Sequence, residues 1–341
     1  MRRPMLLIRS LALAGAALFL FQRSVSSIPA AQLSAGSCAV DLEIPTAERE
    51  TIDRVAVEFV SNVLGPDSSA AYSSFTTQAR HDLSADKFAE ISKSLQRWGP
   101  YNGLHAAHTY RARVIGGSAT QRVVCGGLSR PEQWVAVDIE PGPAQAYVVL
   151  EGQAVNNTWA FVIWLSKEQG AWRVQYLQPV IATIIDKNSA DLLRFARAEK
   201  EKGHSINSYI LYVAALQLTD RGPHFQLGIQ PQIQEELSQL QVPQLYGGEP
   251  PFNWKFGTAS FLVLNSGPIG VGGKIYLKVD HETAPWTDEK DVDSTNRALM
   301  AGFEKTYPEY RDAFAGLIVT AHERGGNRLY GTVQENPQPP K

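Results

Sequence analysis

The sequence predicts an α+β protein assembled from more than one part, and three observations predict it. Apolar residues recur with helical spacing across residues 46–99. Runs rich in β-branched and aromatic residues then follow one another to residue 180 with no helix between them, so helices and strands are segregated. Helical spacing returns at 188–242, and a short β-β-α-β-β succession occupies 252–334. At 341 residues the chain is also long for a single hydrophobic core.

Composition excludes several classes. Hydrophobic content of 44% with 19% charged residues fits an ordinary globular protein, not a disordered or coiled-coil chain. The formal net charge is -2 and no basic block is present, which argues against a nucleic-acid partner.

Residues 1–31 read as a signal peptide. Arg2, Arg3 and Arg9 form a positive start, "LALAGAALFLF" an apolar centre, and "SVSSIPAAQLSAG" supplies small residues for cleavage near Ser27 or Ala31. An uncleaved anchor is the competing reading. The run from Leu6 to Phe21 is short of the ~20 residues that a membrane span needs, which favours the signal. Cleavage after Ala31 removes four arginines and no acids, leaving a net charge of -6.

Cys38 and Cys125 are the only cysteines. In an exported chain such a pair often forms a disulfide. Two separate thiols, with Cys125 a buried small hydrophobe in "RVVCGG", are equally consistent with the sequence. "AGSC" ending at Cys38 lies too far beyond the apolar run to serve as a lipid-attachment box.

The folded part opens with a helix. Ile52, Val55, Ala56, Phe59, Val60, Val63 and Leu64 form one apolar stripe, Thr46 is the expected N-cap, and Gly65-Pro66 is the stop. "SSAAYSSF" reads as a short second helix. "LSADKFAEISKSLQRWG" reads as a third, with Ser84 as N-cap and Phe88, Ile91 and Leu95 expected inside. Six strand-like runs follow: "HTYRARVIG", "QRVVCG", "QWVAVDIE", "QAYVVLEGQAV", "WAFVIWLSKE" and "AWRVQYLQPV".

This order resembles the NTF2-like (cystatin-like cone) superfamily over residues 46–185. The helix, "GPDSSAAYSSF", "LSADKF", the strands and the "GAWRVQYL" ending carry the likeness, with Gly170, Trp172 and Val174 matching the turn before the family's last strand. The resemblance implies three helices packed into a bent antiparallel sheet and a concave pocket between them. That family includes isomerases, dehydratases, adaptors and domains without known chemistry. No catalytic motif carries over residue by residue.

Residues 188–242 read as a helical connector. "NSADLLRFARAEKEKG" and "SINSYILYVAALQLTD" form an αα-hairpin, with Ser205 as the second N-cap, and "GIQPQIQEELSQL" a shorter helix. "QVPQLYGGEPPFNW" reads as a loop rich in Pro and Gly. The unit at 252–334 is expected to be one antiparallel sheet covered by the helix in "DVDSTNRALMAGFEKTY", and 335–341 a disordered tail.

Motifs exclude more chemistry than they suggest. "NSGPIGVGGKIYLKVDHE" carries four glycines before Lys274, but Pro268 stands where a phosphate loop needs its first glycine and Ile275 where it needs a hydroxyl. The following "KIYLKV" is strand-like, whereas phosphate is held by a helix N-terminus. Gly267, Gly270, Gly272 and Gly273 are therefore expected to serve a wide hairpin turn, and no nucleotide is expected to bind. "VDHE" and "TAHE" each end a strand with His-Glu, but alternation points His281 and His322 to opposite faces, so no shared metal is expected. His105 and His108 lead into a strand, where their spacing means nothing. No nucleophile elbow and no His-Glu-x-x-His occurs, and no motif implies a cofactor.

Two site candidates remain. Trp98, Tyr110, Trp134, Tyr147, Trp164 and Trp172 fall where they could line a cone pocket or simply fill a core. Asp138, the one carboxylate inside an apolar strand run, could act as a base or sit on an edge strand. The resulting expectation is a non-catalytic protein that binds a small ligand or protein partner in a bacterial periplasm or outside the cell. The alternatives are a cofactor-free NTF2-like isomerase or hydrolase, and an envelope component whose uncleaved amino-terminal helix sits in the membrane.

Overall fold

The computed structural model describes residues 36–336 apart from 115, 117 and 118. The expected signal peptide and most of the expected tail lie outside the described residues. Glu335, counted in that tail, closes the last strand instead. The described residues divide into two compact units, one holding 36–241 together with 269–275, the other 242–268 and 276–336.

The larger unit is built on a five-stranded antiparallel sheet in the order β1-β2-β5-β6-β7. Its strands are β1 (Gly36–Val40), β2 (Asn102–Val114), β5 (Gln145–Ala154), β6 (Asn157–Glu168) and β7 (Ala171–Ile181). One face carries α1 (Thr46–Leu64), α2 (Ser69–Ser73), α3 (Thr77–Asp82) and α4 (Ala85–Gln96). The apolar stripe of α1 packs Ile52, Ala56, Phe59, Val60 and Val63 against Val148, Leu150, Phe161, Ile163 and Leu165. Phe75 and Phe88 meet edge to face at 5.1 Å, and Phe59 meets Phe75 at 5.2 Å, so rings pack between these helices.

The opposite sheet face is covered too. A small antiparallel sheet, β3 (Gln121–Gly126), β4 (Trp134–Ile139) and β8 (Phe225–Leu227), buries Val123, Val135, Val137 and Phe225 against Tyr110, Tyr147, Val149, Val162 and Trp164. Burial on both faces explains why "TWAFVIWL" reads as a continuous apolar run instead of alternating. Cys38 and Cys125 are joined by a disulfide, which ties β1 to β3.

Several expectations are corrected here. Pro45 holds the N-cap position of α1, and Thr46 is its first residue. Ile91 is 40% exposed, because α4 presents Phe88, Ser92 and Leu95 to the core and Ile91 falls off that stripe. The connector is not a separate segment: α5 (Ser189–Glu201), α6 (Ser205–Gln217) and α7 (Ile229–Ser238) belong to the larger unit, and β8 between them pairs with β4. His204, not Ser205, caps α6.

The smaller unit is a mixed sheet, β13-β12-β11-β10-β9. It comprises β9 (Phe252–Phe256), β10 (Ala259–Val271), β11 (Lys274–Thr283), β12 (Gly316–Glu323) and β13 (Leu329–Glu335), with α8 (Glu289–Thr306) and the short α9 (Tyr310–Ala313), the tip of the β10–β11 hairpin at 269–275 being counted with the larger unit. A wholly antiparallel sheet was expected, but β11 and β12 run parallel. The helix between them makes the crossover that a parallel pair requires. Phe252, expected in a loop, begins β9, whose Trp254 stacks on Phe303 of α8 at 5.6 Å. The glycine-rich stretch makes a tight turn, not a wide one. Gly272 (φ 56°) and Gly273 (φ 76°) alone connect β10 to β11, as a two-residue hairpin with both central residues left-handed requires. Gly270 lies within β10, where a Cβ would stand 2.4 Å from the Ile185 side chain.

Among the described residues no helix is long and apolar enough to cross a membrane.

Candidate functional site

Strand alternation separates the six aromatic candidates. Trp98 and Trp172 lie on the helix-covered face, Trp98 against Trp159 at 5.9 Å and Trp172 beneath the Lys167 ammonium at 4.9 Å. Tyr110, Tyr147 and Trp164 lie on the other face, where Tyr147 stacks on Trp164 at 5.4 Å and Phe225 packs on both tyrosines. Trp134 starts β4, and its ring fills the space that a side chain at Gly228 would need. The six do not line one pocket, because both faces of the sheet are core.

Asp138 is not on an edge: β4 runs between β3 and β8. Its carboxylate accepts Arg122 Nε at 2.7 Å and Nη2 at 3.1 Å, and His224 Nδ1 lies 3.2 Å from Oδ2. Arg122 Nη2 also donates to Pro223 O at 3.0 Å, and the Tyr147 hydroxyl donates to the Asp138 carbonyl at 2.7 Å. Burial alone would raise the Asp138 pKa, but the bonds from His224 and Arg122 outweigh it and hold the carboxyl below its usual range. A carboxylate kept ionised by a bidentate guanidinium is a poor base near neutrality, which corrects the catalytic reading of Asp138.

His224 was not singled out from the sequence. Its only local signal is "GPHFQLG", and β8 is three residues long. The structure sets its ring 5.1 Å from Trp164 and 5.0 Å from Tyr176. Tyr176 donates to Gln178 Oε1 at 2.7 Å, and burial pushes its pKa up to about 12. With Nδ1 on Asp138, an imidazole of this kind presents Nε2 as a proton donor or acceptor in one fixed orientation.

In the smaller unit, a groove of about 460 Å³ is lined by Asn253, Ser260, Phe261, His281, Glu282 and Arg324, among others. His281 is buried and shares a sheet face with Leu277 and Val279. Its Nε2 lies 2.7 Å from Asn296 Oδ1. The Asn296 amide nitrogen donates to Thr332 Oγ1 at 3.0 Å and to the Val319 and Tyr330 carbonyls at 3.3 Å each. Thr332 in turn donates to Asp293 Oδ1 at 2.8 Å. The amide oxygen can only accept, so Nε2 carries the proton. Burial, outweighing the hydrogen bonds, lowers the His281 pKa. At the rim, Arg324 Nε donates to Glu282.

His322 lies on the other sheet face, 3.2 Å from Asp280, whose second oxygen accepts Lys278 Nζ at 2.7 Å. The two imidazoles thus serve different partners on opposite faces, as alternation requires. A larger depression of about 640 Å³ borders α4, lined by Glu90, Lys93, Gln96 and Arg97. It is a patch on one helix surface with no convergent chemistry. Among the described residues no three His, Cys, Asp or Glu side chains gather as a metal site would require.

Compared with protein-family models, with curated proteins and with solved structures, the chain shows no significant match.

Proposed function

We propose that this chain is an exported, non-catalytic binding protein, acting in the periplasm or outside the cell on an NTF2-like cone scaffold. One observation carries the reading: the groove over His281 is open, whereas the hollow where a cone-fold enzyme would hold substrate is packed by Phe59, Tyr72, Phe75 and Phe88. A concave site with an apolar wall and a few convergent polar groups is the ordinary form of a ligand site. Phe261 supplies the apolar wall, Asn253 and Ser260 the neutral polar groups, and Arg324 with Glu282 a charged rim. These suit a small molecule with polar substituents and one apolar face.

The test is a fragment screen followed by amide chemical shifts. Binding should perturb Ser260, Glu282 and Thr295, and Arg324→Ala with Ser260→Ala should abolish it while the melting temperature holds. Hits that map to the larger unit instead would remove this reading.

The His224–Asp138 pair favours a second reading, a cofactor-free enzyme in which His224 and not Asp138 is the acid or base. Turnover of an isomerisation or hydrolysis substrate, lost in His224→Ala and not in Ser260→Ala, would select it.

A further inference from the structure

The groove over His281 opens where the smaller unit's sheet carries its parallel pair. β11 and β12 run side by side in one direction, with α8 as the crossover between them. Glu282 and Thr283 end β11, and Arg324 follows directly on the last residue of β12, so all three stand at the carboxyl ends of that pair. The Arg324 amide donates to the Thr283 carbonyl at 2.9 Å, which ties the two ends together. Ser260 and Phe261, near the start of β10, and Asn253 of β9 close the other side. A crevice outside the carboxyl ends of parallel strands is where α/β sheets hold their ligands.

The side chains around this crevice divide between groups that donate and groups that accept. Ser260 Oγ donates to Asn253 Oδ1, which leaves the serine oxygen as an acceptor and the amide N–H groups of Asn253 as donors. Arg324 Nε donates to Glu282 Oε1, which leaves the terminal N–H groups of Arg324 as donors and Glu282 Oε2 as an acceptor. The Thr283 hydroxyl can do both, and its side chain has no partner among the described residues. The acid and the base of the rim, Glu282 and Arg324, are paired with each other, so the rim offers no net charge.

We infer that the groove takes a neutral saccharide, an inference that rests on the reading of this groove as a ligand site. A sugar hydroxyl donates and accepts at once, so adjacent hydroxyls can accept from Arg324 and donate to Glu282 without parting the pair. A carboxylate or phosphate would use the Arg324 and Asn253 donors but would meet the Glu282 carboxylate and the Ser260 oxygen. An ammonium would meet Arg324 and the Asn253 N–H groups instead. The C–H face of a sugar ring suits the apolar wall that Phe261 provides. The volume of about 460 Å³ falls within the range of about 300–1,000 Å³ that small-molecule sites occupy.

The test is titration of the whole chain, followed by amide chemical shifts, with neutral disaccharides of glucose, galactose, mannose, xylose and N-acetylglucosamine. Digalacturonate and the glucosamine disaccharide are the charged counterparts, and an end-blocked dipeptide is the amide counterpart. At least one neutral disaccharide should shift Ser260, Glu282 and Thr283 saturably with a Kd of about 1 mM or below, and the counterparts should bind at least about tenfold more weakly. Glu282→Gln should weaken that disaccharide about tenfold, because a hydrogen bond to a carboxylate is the stronger one, whereas it would tighten an anion. Arg324→Ala should weaken it by a similar factor with unchanged circular dichroism, since the Arg324 side chain is exposed. Shifts at these residues with a counterpart or a screened fragment, and with no neutral saccharide, would overturn the inference and leave the groove a ligand site. Saccharide binding that Glu282→Gln tightens or leaves unchanged would overturn it as well. Silence of these residues toward every saccharide, counterpart and fragment would overturn both the inference and the reading beneath it.

Discussion

Replacing Cys38 and Cys125 together by Ala should destabilise the larger unit and leave its fold intact. The bridge spans 87 residues, which enclose α1, the shorter helices, β2 and most of β3. Loop-closure entropy for a span of that length sets a ceiling of about 4.6 kcal/mol, and native bridges commonly deliver about 2–4 kcal/mol. The remaining tether keeps the fold, because β1 pairs with β2 from Gly36↔Val114 to Val40↔Tyr110 without the sulfurs. Urea denaturation followed by tryptophan fluorescence reads mainly this unit, since five of the seven tryptophans, Trp98, Trp134, Trp159, Trp164 and Trp172, lie in it. At a slope of about 2–3 kcal/mol per molar urea, the midpoint should fall by roughly 0.7–2 M. An unchanged midpoint, or two labelled thiols in the unreduced denatured wild type, would refute the reasoning.

Three further outcomes are expected. Val155 sits at φ 49° in the two-residue turn between β5 and β6 and is exposed, so Val155→Asn should raise the melting stability by about 1 kcal/mol, a β-branched residue being strained there. Gly302 of α8 has Phe256 Cβ 2.6 Å from where its own Cβ would lie, so Gly302→Ala should cost about 1–3 kcal/mol by thermal melt despite the helix-propensity gain of about 1 kcal/mol. The folded pKa of Asp138 lies below its unfolded value, so its stabilisation is complete above the unfolded pKa of about 3.9 and is lost as pH falls through the folded one. Acid titration of stability should therefore steepen below pH ~4. Asp138→Asn should flatten that limb and also lower stability at pH 7, by leaving Arg122 without its carboxylate partner.

What was legible in the sequence was local. The stripe from Ile52 to Val63 specified α1, because burial of one helical face repeats with the helix period whatever it packs against. The six runs between residues 102 and 181 became strands, and Ser84 capped α4 through its bond to the Lys87 amide. The glycine stretch was legible as a turn and not a phosphate loop, since two adjacent left-handed glycines need no tertiary partner. Elements as short as β8 were not legible, because three residues carry no period.

The site lay almost wholly beyond the sequence. Alternation in β6 and β7 cannot say which face is open when both are buried, so Trp164 and Trp172 looked alike and fell on opposite sides of the sheet. Asp138 was visible as a carboxylate in an apolar run, but Arg122 stands 16 residues before it and His224 86 residues after, and the sequence could not place either beside it. His281 showed its face by alternation, while its partner Asn296 came from a helix, and Thr332, which accepts from Asn296, from a distant strand. The sequence by itself determined periods, caps and turns, which depend on neighbours along the chain. Only the tertiary structure decided partners, exposure and protonation, because those depend on which distant groups share a desolvated space.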